Sequence, residues 1–466
     1  MAMDRTPNHK KRNFLSNLKD FKNFKEEKLP FVIAGVAALL ILIFIIGSIS
    51  LAVSRGKANK RLERQEEYTQ QQNHKRWTQM AEELSAKADR QMAGGDFDGA
   101  LETLRSFDGD PALYTAVKDR IETCEEAKKH LVAWEDPGQI PNLSFQLLIA
   151  DSNRAFNYPD YASSISKNFV TTQEFSAMLQ ELYAGGYVLV DLEDVMEMQP
   201  GEDGAATYTP KTLYLPEGRK PLMLTQTNVN YNLYLVDSDG DGLADKDGGG
   251  FASKLIVDAN GNLTNEMVDA EGNVVTGDFD LVPVLEKFIE ENPGFSYKDA
   301  RATLALTGYN GLFGYRTNNG EGKAEAKQVA DALTAKGYKL AFYTYGNIPY
   351  GNSGAPEIQL DLQKWQQEVE PILGKLDTIV FAQNSDIGSR DAYAGDKFNL
   401  LYGNGFRYYI GFAEDGSAWA ESYSSYVRQG RIMVSGSNMK DHAQWFASMF
   451  DATKILTDSR GDEPIK

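Results

Sequence analysis

Residues 221–231 read PLMLTQTNVNY, a stretch that passes from an apolar run into uncharged polar side chains. Similar apolar runs occur elsewhere in the C-terminal two thirds of the chain: LSFQLLIA, YVLV, ATLAL, YKLAFY, TIVFA, FRYYIGF and RIMVSG. Amphipathic patterns separate several of them, for example TTQEFSAMLQELYAGG, in which Thr171 and Glu174 have capping-box spacing. This alternation predicts a parallel α/β barrel or a doubly wound sheet. In either fold the chemistry lies at the C-terminal ends of the strands, where TQTN is found.

An apolar segment near the N-terminus predicts a membrane anchor. Residues 31–53, FVIAGVAALLILIFIIGSISLAV, carry no charge. At about 1.5 Å per residue they can cross a bilayer core of roughly 30 Å. The segment starts too late and runs too long for a typical cleaved signal peptide, so we expect an uncleaved transmembrane helix. Basic residues flank both sides but are more numerous before it, which favours a cytoplasmic tail at residues 1–30.

Charge and cysteine content limit the functions of the remaining chain. The formal net charge is −18, which argues against binding to nucleic acid or to an anionic membrane surface. Cys124 is the single cysteine of the sequence, so the chain cannot form an internal disulfide framework. An extracytoplasmic protein without disulfides suits a Gram-positive cell surface.

Residues 54–138 have the pattern of a helical stalk. Apolar residues recur at spacings of three and four up to Gly94 and Gly95, which predict a helix end, and Asp96 can cap the next helix. A third helix is expected to start at Pro111. The stretch AGGDFDGALETL is similar to the turn of a tetratricopeptide-like hairpin, so the region is either a spacer or a docking module for a partner protein.

An Asp-rich stretch, DSDGDGLADKDG, has the spacing of a calcium loop. Asp237, Asp239, Asp241 and Asp245 occupy positions 1, 3, 5 and 9, and the Leu243 carbonyl occupies position 7. The twelfth position, which is normally a bidentate Glu, is Gly248. We therefore expect weak calcium binding, and the alternative is a solvated acidic turn.

Residues 139–466 resemble the polysaccharide deacetylase (NodB-type) family, including membrane-anchored bacterial members. The resemblance is carried by four stretches: PLMLTQTNVNY, DARATLALTGYNGLFGYRTN, GYKLAFYTYGNI and KLDTIVFAQNSDIG. It implies a distorted (β/α)7 barrel, preceded here by the transmembrane helix and the stalk. It also implies descent from metal-dependent hydrolases that remove acetyl groups from amino sugars.

The positions that match the family's catalytic motifs are degenerate. In the family, the first motif supplies a general base and a metal-binding Asp, where this chain has Thr227 and Asn228. The second motif supplies two histidines, where this chain has Tyr343 and Asn347. Neutral oxygen and amide groups do not hold a hydrolytic metal or lower the pKa of its water. We therefore expect a pseudoenzyme without bound Zn²⁺.

The former active site still offers groups suited to sugars. Amide and phenol groups can pair with hydroxyl groups and stack on sugar rings. Envelope polysaccharide or peptidoglycan is thus the expected ligand, although the same groups could simply pair with one another. The predicted cleft residues are Gln226, Asn228, Tyr231, Tyr309, Arg316, Tyr343, Tyr345 and Asn384.

One enzymatic alternative remains open at the level of sequence. Asp191, Glu193, Asp194 and Asp386 lie at or just after predicted strand ends. Two of these carboxylates about 5 to 9 Å apart in one cleft could support metal-independent hydrolysis of a glycan.

Overall fold

The computed structural model describes residues 29–201 and 206–460. The chain divides into two compact units, Met1–Met80 and Ala81–Lys466. The helix α1 (Leu29–Ala93) contains the apolar segment and is long and apolar enough to cross a membrane. The predicted cytoplasmic tail lies almost wholly outside the described residues.

The other α-helices are α2 (Phe97–Arg105), α3 (Thr115–Ala127), α4 (Ser152–Ala155), α5 (Ala162–Asn168), α6 (Thr172–Ala184), α7 (Leu281–Glu291), α8 (Gly320–Ala335), α9 (Ala355–Glu368), α10 (Glu370–Leu373), α11 (Asp396–Gly403), α12 (Gly436–Asp441) and α13 (Ala452–Arg460). Short 3-10 turns cover Pro111–Leu113, Lys128–His130, Pro137–Gln139, Leu192–Asp194, Leu233–Leu235, Pro293–Phe295, Ala382–Asn384 and Ala443–Trp445.

The strands are β1 (Leu131–Trp134), β2 (Asn142–Phe145), β3 (Tyr187–Leu189), β4 (Met196–Pro200), β5 (Ala206–Pro210), β6 (Leu213–Pro216), β7 (Lys220–Thr227), β8 (Lys254–Val257), β9 (Leu263–Val268), β10 (Val274–Gly277), β11 (Thr303–Leu306), β12 (Lys339–Phe342), β13 (Thr378–Val380), β14 (Tyr408–Phe412), β15 (Trp419–Ser422) and β16 (Val427–Met433).

Seven parallel strands close into a barrel. The order around the ring is β2, β7, β11, β12, β13, β14 and β16, and β16 pairs again with β2. The predicted α/β barrel with seven strands is therefore confirmed, and the doubly wound alternative is wrong. Because every strand of the ring is parallel, all C-terminal strand ends meet at one opening, which we call the mouth.

The segment YVLV forms a strand but not a member of the ring. β3 pairs with β7 at Lys220–Leu222, whereas β11 pairs with β7 further along, at Thr225–Thr227. The long β7 thus has one neighbour at its start and another at its end. Residues that follow β3 consequently lie near the N-terminal end of the barrel, opposite the mouth.

The helical region before the barrel is partly integrated with it. The helix stop predicted at Gly94 and Gly95 is confirmed, since α1 ends at Ala93, and Asp96 caps α2 by accepting a hydrogen bond from Gly99 N. However, β1 pairs with β6, and residues 81–138 belong to the same compact unit as the barrel. The β1–β6 ladder thus joins the two sides of position 138, and the domain boundary there stays a prediction.

The last described helix is tied to the barrel by a buried ion pair. Arg460 on α13 donates to Glu174 on α6 through Nε at 2.6 Å and Nη2 at 2.8 Å, and both side chains are almost fully buried. Arg460 also donates to the carbonyls of Ser166 and Phe169. Glu174 completes the predicted capping box with Thr171 at the start of α6.

Candidate functional site

The loops at the mouth are hydrogen-bonded to one another in sequence around the ring. Four contacts join the ends of neighbouring strands: Thr227 Oγ1 donates to Phe145 O, Thr307 N donates to Asn230 Oδ1, Gly308 N donates to Tyr345 O, and Gln383 Nε2 donates to Asn347 O. A fifth contact passes over β14 and joins β16 to the loop after β13, since Arg431 Nη1 donates to Asn384 Oδ1. These contacts link β2, β7, β11, β12, β13 and β16. The rim is therefore a connected structure and not a set of independent loops.

The four degenerate motif positions lie at this mouth. Thr227 is fully buried, and its hydroxyl donates to the Phe145 carbonyl at 3.2 Å. Tyr343 is buried beside Ala305 and Ala341 in the barrel interior. Asn228 and Asn347 are half-buried, and the side-chain oxygen of each is buried without a hydrogen-bond partner within the protein. The motif positions thus present hydroxyl, phenol and amide groups.

A buried cation, which the sequence analysis missed, lies at the same end of the barrel. Arg431 on β16 is fully buried, and Nη2 donates to the Phe381 carbonyl at 2.8 Å. Burial lowers the pKa of this guanidinium. Nearby Tyr343 and Asp386 act to raise the pKa, but the effect of burial is larger. Within residues 29–201 and 206–460, no carboxylate lies within ion-pair distance of Arg431. The segment RIMVSG predicts an apolar strand, but nothing in the sequence indicates that its first residue, Arg431, points into the barrel.

Backbone strain is concentrated at the mouth. A left-handed backbone is uncommon for residues other than glycine and is unfavourable for a β-branched one. Thr344, a β-branched residue, has φ +67°. Six of the eleven left-handed non-glycine residues in the described part of the chain lie within five residues of the end of a ring strand: Asn228 and Tyr231 after β7, Thr344 and Asn347 after β12, and Gln383 and Asn384 after β13. Phe313 lies further along the loop after β11.

Two predicted cleft residues do not line the mouth. Gln226 is fully buried and donates through Nε2 to Asp280 Oδ1 at 2.7 Å, and Tyr231 OH donates to Asp280 Oδ2 at 2.8 Å. Asp280 also accepts a hydrogen bond from Leu148 N. Burial raises the pKa of Asp280 to about 6, although these hydrogen bonds act to lower it. Along β7, Gln226 alternates with Thr225 and Thr227, and Tyr231 joins Gln226 through their shared hydrogen-bond acceptor, Asp280. The side chain of Gln226 therefore points outward, toward α7.

The remaining predicted cleft residues differ in availability. Tyr309 and Asn384 are exposed, and Tyr343 is buried at the floor of the mouth. Tyr345 is half-buried and its hydroxyl donates to Glu368 at 2.6 Å. Arg316 donates to the Asn310 carbonyl at 2.7 Å, so it braces the loop after β11.

The alternative carboxylates do not share one cleft. Asp386 follows β13 and forms an ion pair with Arg428 at 3.0 Å. Asp191 and Glu193 instead line a cavity of about 80 Å³ together with the first residues of several strands, including Thr303 and Lys339. That cavity lies at the N-terminal end of the barrel. Burial raises the pKa of Asp191 to about 7.

Asp194 belongs with these residues rather than with the mouth. Its carboxylate accepts a hydrogen bond from Asp191 N at 3.0 Å, and burial raises its pKa. Asp191 and Glu193 therefore share a cavity at the end of the barrel opposite the mouth, whereas Asp386 follows β13 and is paired with Arg428. The alternative of metal-independent hydrolysis stays a prediction, and its carboxylates would lie in that cavity and not at the mouth.

The Asp-rich loop brings three of its carboxylates together. Oxygen atoms of Asp237, Asp239 and Asp245 all lie within 4.8 Å of one another. Asp241 is not part of this group, and its Oδ1 accepts a hydrogen bond from Leu243 N at 2.8 Å. Partial burial acts to raise the pKa of Asp245, but hydrogen bonds from Ser238 and other backbone groups outweigh it and lower the pKa. The calcium site stays a prediction.

Comparison with known proteins shows a distant similarity to a solved structure. No protein-family model matches the chain, and no curated protein matches it. Among solved structures, the chain is similar to the Streptococcus pyogenes deacetylase PplD in complex with acetate, with 12% sequence identity and a TM-score of 0.35. The similarity covers 67% of this chain and 98% of that chain. The barrel assignment rests on the strand pairing described above.

Proposed function

We propose that this chain is a membrane-anchored extracytoplasmic protein whose deacetylase-like barrel no longer hydrolyses its ligand and binds an envelope glycan at the mouth. The anchor is α1, and the basic residues before it favour a cytoplasmic N-terminus. A bacterial surface without disulfides is the compartment that fits the sequence best.

The observation that carries this proposal is the combination of strain and unpartnered polar atoms at the mouth. Buried polar atoms normally have hydrogen-bond partners, and strained residues persist where function requires them. Here the side chains of Asn228, Thr307, Asn347 and Arg431 each leave one buried polar atom without a partner in the protein. Asn228 and Asn347 also have left-handed backbones, with φ +63° and +53°. Hydroxyl-rich sugars carry donors and acceptors that would pair with such atoms once side chains at the mouth move to admit the ligand.

The chemistry of the mouth argues against a hydrolytic metal. A metal that activates water needs deprotonated carboxylate, thiolate or neutral imidazole ligands. Thr227, Asn228, Tyr343 and Asn347 supply none of these groups. In addition, the guanidinium of Arg431 is close enough to interact with Tyr343, so it would repel a divalent cation held there.

A binding experiment with a matched control tests the proposal. The full-length protein in detergent would be titrated with muramidase-digested peptidoglycan fragments in a calorimeter, with the variants Asn384→Ala and Asn404→Ala. Asn384 lies at the mouth, whereas Asn404 precedes β14 and lies at the opposite end of the barrel.

We expect binding in the millimolar range or tighter. Loss of one hydrogen bond in Asn384→Ala should weaken it about fivefold, whereas Asn404→Ala should bind as the unmodified protein does. Absence of binding at millimolar fragment, or equal loss in both variants, would contradict a glycan site at the mouth.

A further inference from the structure

We propose a second, extended part of the glycan site: an exposed platform of tyrosine rings that leads away from the mouth and stacks against further sugar rings of the same chain. The platform consists of Tyr161, Tyr234 and Tyr309, whose exposed fractions are 43%, 42% and 43%. This inference rests on the proposed function and specifies its ligand as an oligosaccharide rather than a single sugar.

Hydrogen bonds place one end of the platform at the mouth. Tyr309 lies in the loop after β11, and its N–H donates to the Tyr345 carbonyl after β12. Tyr234 lies in the loop after β7, which is joined to the Tyr309 loop because Asn310 Nδ2 donates to Asn232 Oδ1 at 3.2 Å. The platform therefore begins on the same connected rim as the motif positions.

Ring contacts extend the platform outward. The ring of Tyr161, which precedes α5, lies 5.9 Å from the ring of Tyr234. Desolvation, together with the neighbouring phenols of Tyr309 and Tyr161, raises the pKa of Tyr234 to about 12. Three neighbouring tyrosines that are each about two fifths exposed form an aromatic surface with polar tips. Such surfaces combine apolar stacking with hydrogen bonding.

The platform is supported from below and is held beside an acidic loop. Tyr158 stacks on Tyr161 with centroids 5.7 Å apart, and its hydroxyl donates to the Asp237 carbonyl at 3.3 Å. When no calcium is bound, the carboxylates of Asp237 and Asp245 next to Tyr158 would repel an anionic ligand. Aromatic rings next to negative charge thus favour uncharged sugar rings over nucleic acid or acidic polymers.

The test compares two uncharged ligands of different length on the full-length protein in detergent. Chitobiose can occupy the mouth alone, whereas chitohexaose can also reach the platform. Calorimetric affinities would be measured for both ligands with Tyr161→Ala, Tyr234→Ala and Tyr309→Ala. The control is Tyr214→Ala, because Tyr214 is 53% exposed but lies on β6, away from the rim loops.

We expect chitohexaose to bind on the order of tenfold more tightly than chitobiose, and each platform variant to lose about fivefold in chitohexaose affinity only. Near-ultraviolet circular dichroism would show that the variants are folded. Unchanged chitohexaose affinity in all three variants, or an equal loss in Tyr214→Ala, would overturn the platform while leaving the site at the mouth intact.

Two further outcomes separate the platform from the proposed function. In one outcome, chitohexaose binds, Tyr234→Ala removes this binding and Asn384→Ala leaves it unchanged. That outcome would support the platform and contradict the site at the mouth. If neither oligosaccharide binds, both the platform and the proposed function are overturned for this class of ligand.

Discussion

Removing the guanidinium of Arg460 should destabilise the barrel strongly, because it leaves the Glu174 carboxylate buried without its cation. Arg460 makes two charge-assisted hydrogen bonds to Glu174, at 2.6 and 2.8 Å. Breaking a buried ion pair on one side costs about 3–5 kcal/mol. Arg460→Met keeps the apolar stem, so we expect the free energy of unfolding to fall by about that amount.

The assay is urea unfolding of the full-length protein in detergent, followed by tryptophan fluorescence. Lys454→Met is the matched control, since Lys454 forms an exposed ion pair with Asp458 on the same helix, α13, and exposed pairs add little to stability. The double variant Glu174→Gln with Arg460→Met removes both charges and should lose less than Arg460→Met alone. A loss below about 1 kcal/mol in Arg460→Met, or a double variant less stable than that single variant, would refute this reasoning.

Two further predictions concern acidic groups. The pKa of Asp280 is raised from 3.8 to about 6, so the native state binds more protons than the unfolded state between those values. Its contribution to stability therefore falls by about 3 kcal/mol as the pH rises through this range, and stays low above it. Asp280→Asn should remove that slope in unfolding measured from about pH 4 to about pH 7, and an unchanged slope would contradict the assignment. For the Asp-rich loop, calcium at ten times its dissociation constant should stabilise the protein by about 1.4 kcal/mol, and Asp237→Asn should abolish this effect. No calcium-dependent shift of the unfolding midpoint would refute the site.

The strand pattern was predictable because barrel strands are buried on both faces. PLMLT, ATLAL and TIVFA read as continuous apolar runs, and β7, β11 and β13 lie there. The same signal could not exclude YVLV from the ring, since β3 is equally buried. Ring membership depends on which part of β7 a strand pairs with, and that is a tertiary property.

The side sheet of β8, β9 and β10 was missed, although its turns carry a signal. DANGN and DAEGN repeat the same chemistry, in which Asp258 and Asp269 each accept hydrogen bonds from the backbone two and four residues later. Turns of this kind indicate β-hairpins when they lie between two segments in which apolar and polar residues alternate.

The site was predictable in position but not in detail. The location of Thr227, Asn228, Tyr343 and Asn347 at one end of the barrel follows from strand polarity. The period of two along β7 could have separated Gln226 from Thr225 and Thr227. In contrast, the burial of Arg431 and the adjacency of Tyr161, Tyr234 and Tyr309 depend on loop packing, which no local pattern specifies.

The most direct test of the central claim is metal content together with acetate release by the purified full-length protein. Zinc, cobalt and calcium would each be supplied, and acetylated chitooligosaccharide and peptidoglycan would serve as substrates. The account predicts that neither zinc nor cobalt is retained and that no acetate is released above background. Retained zinc or cobalt with acetate release would show that catalytic groups operate at or near the mouth, and would contradict the loss of hydrolysis.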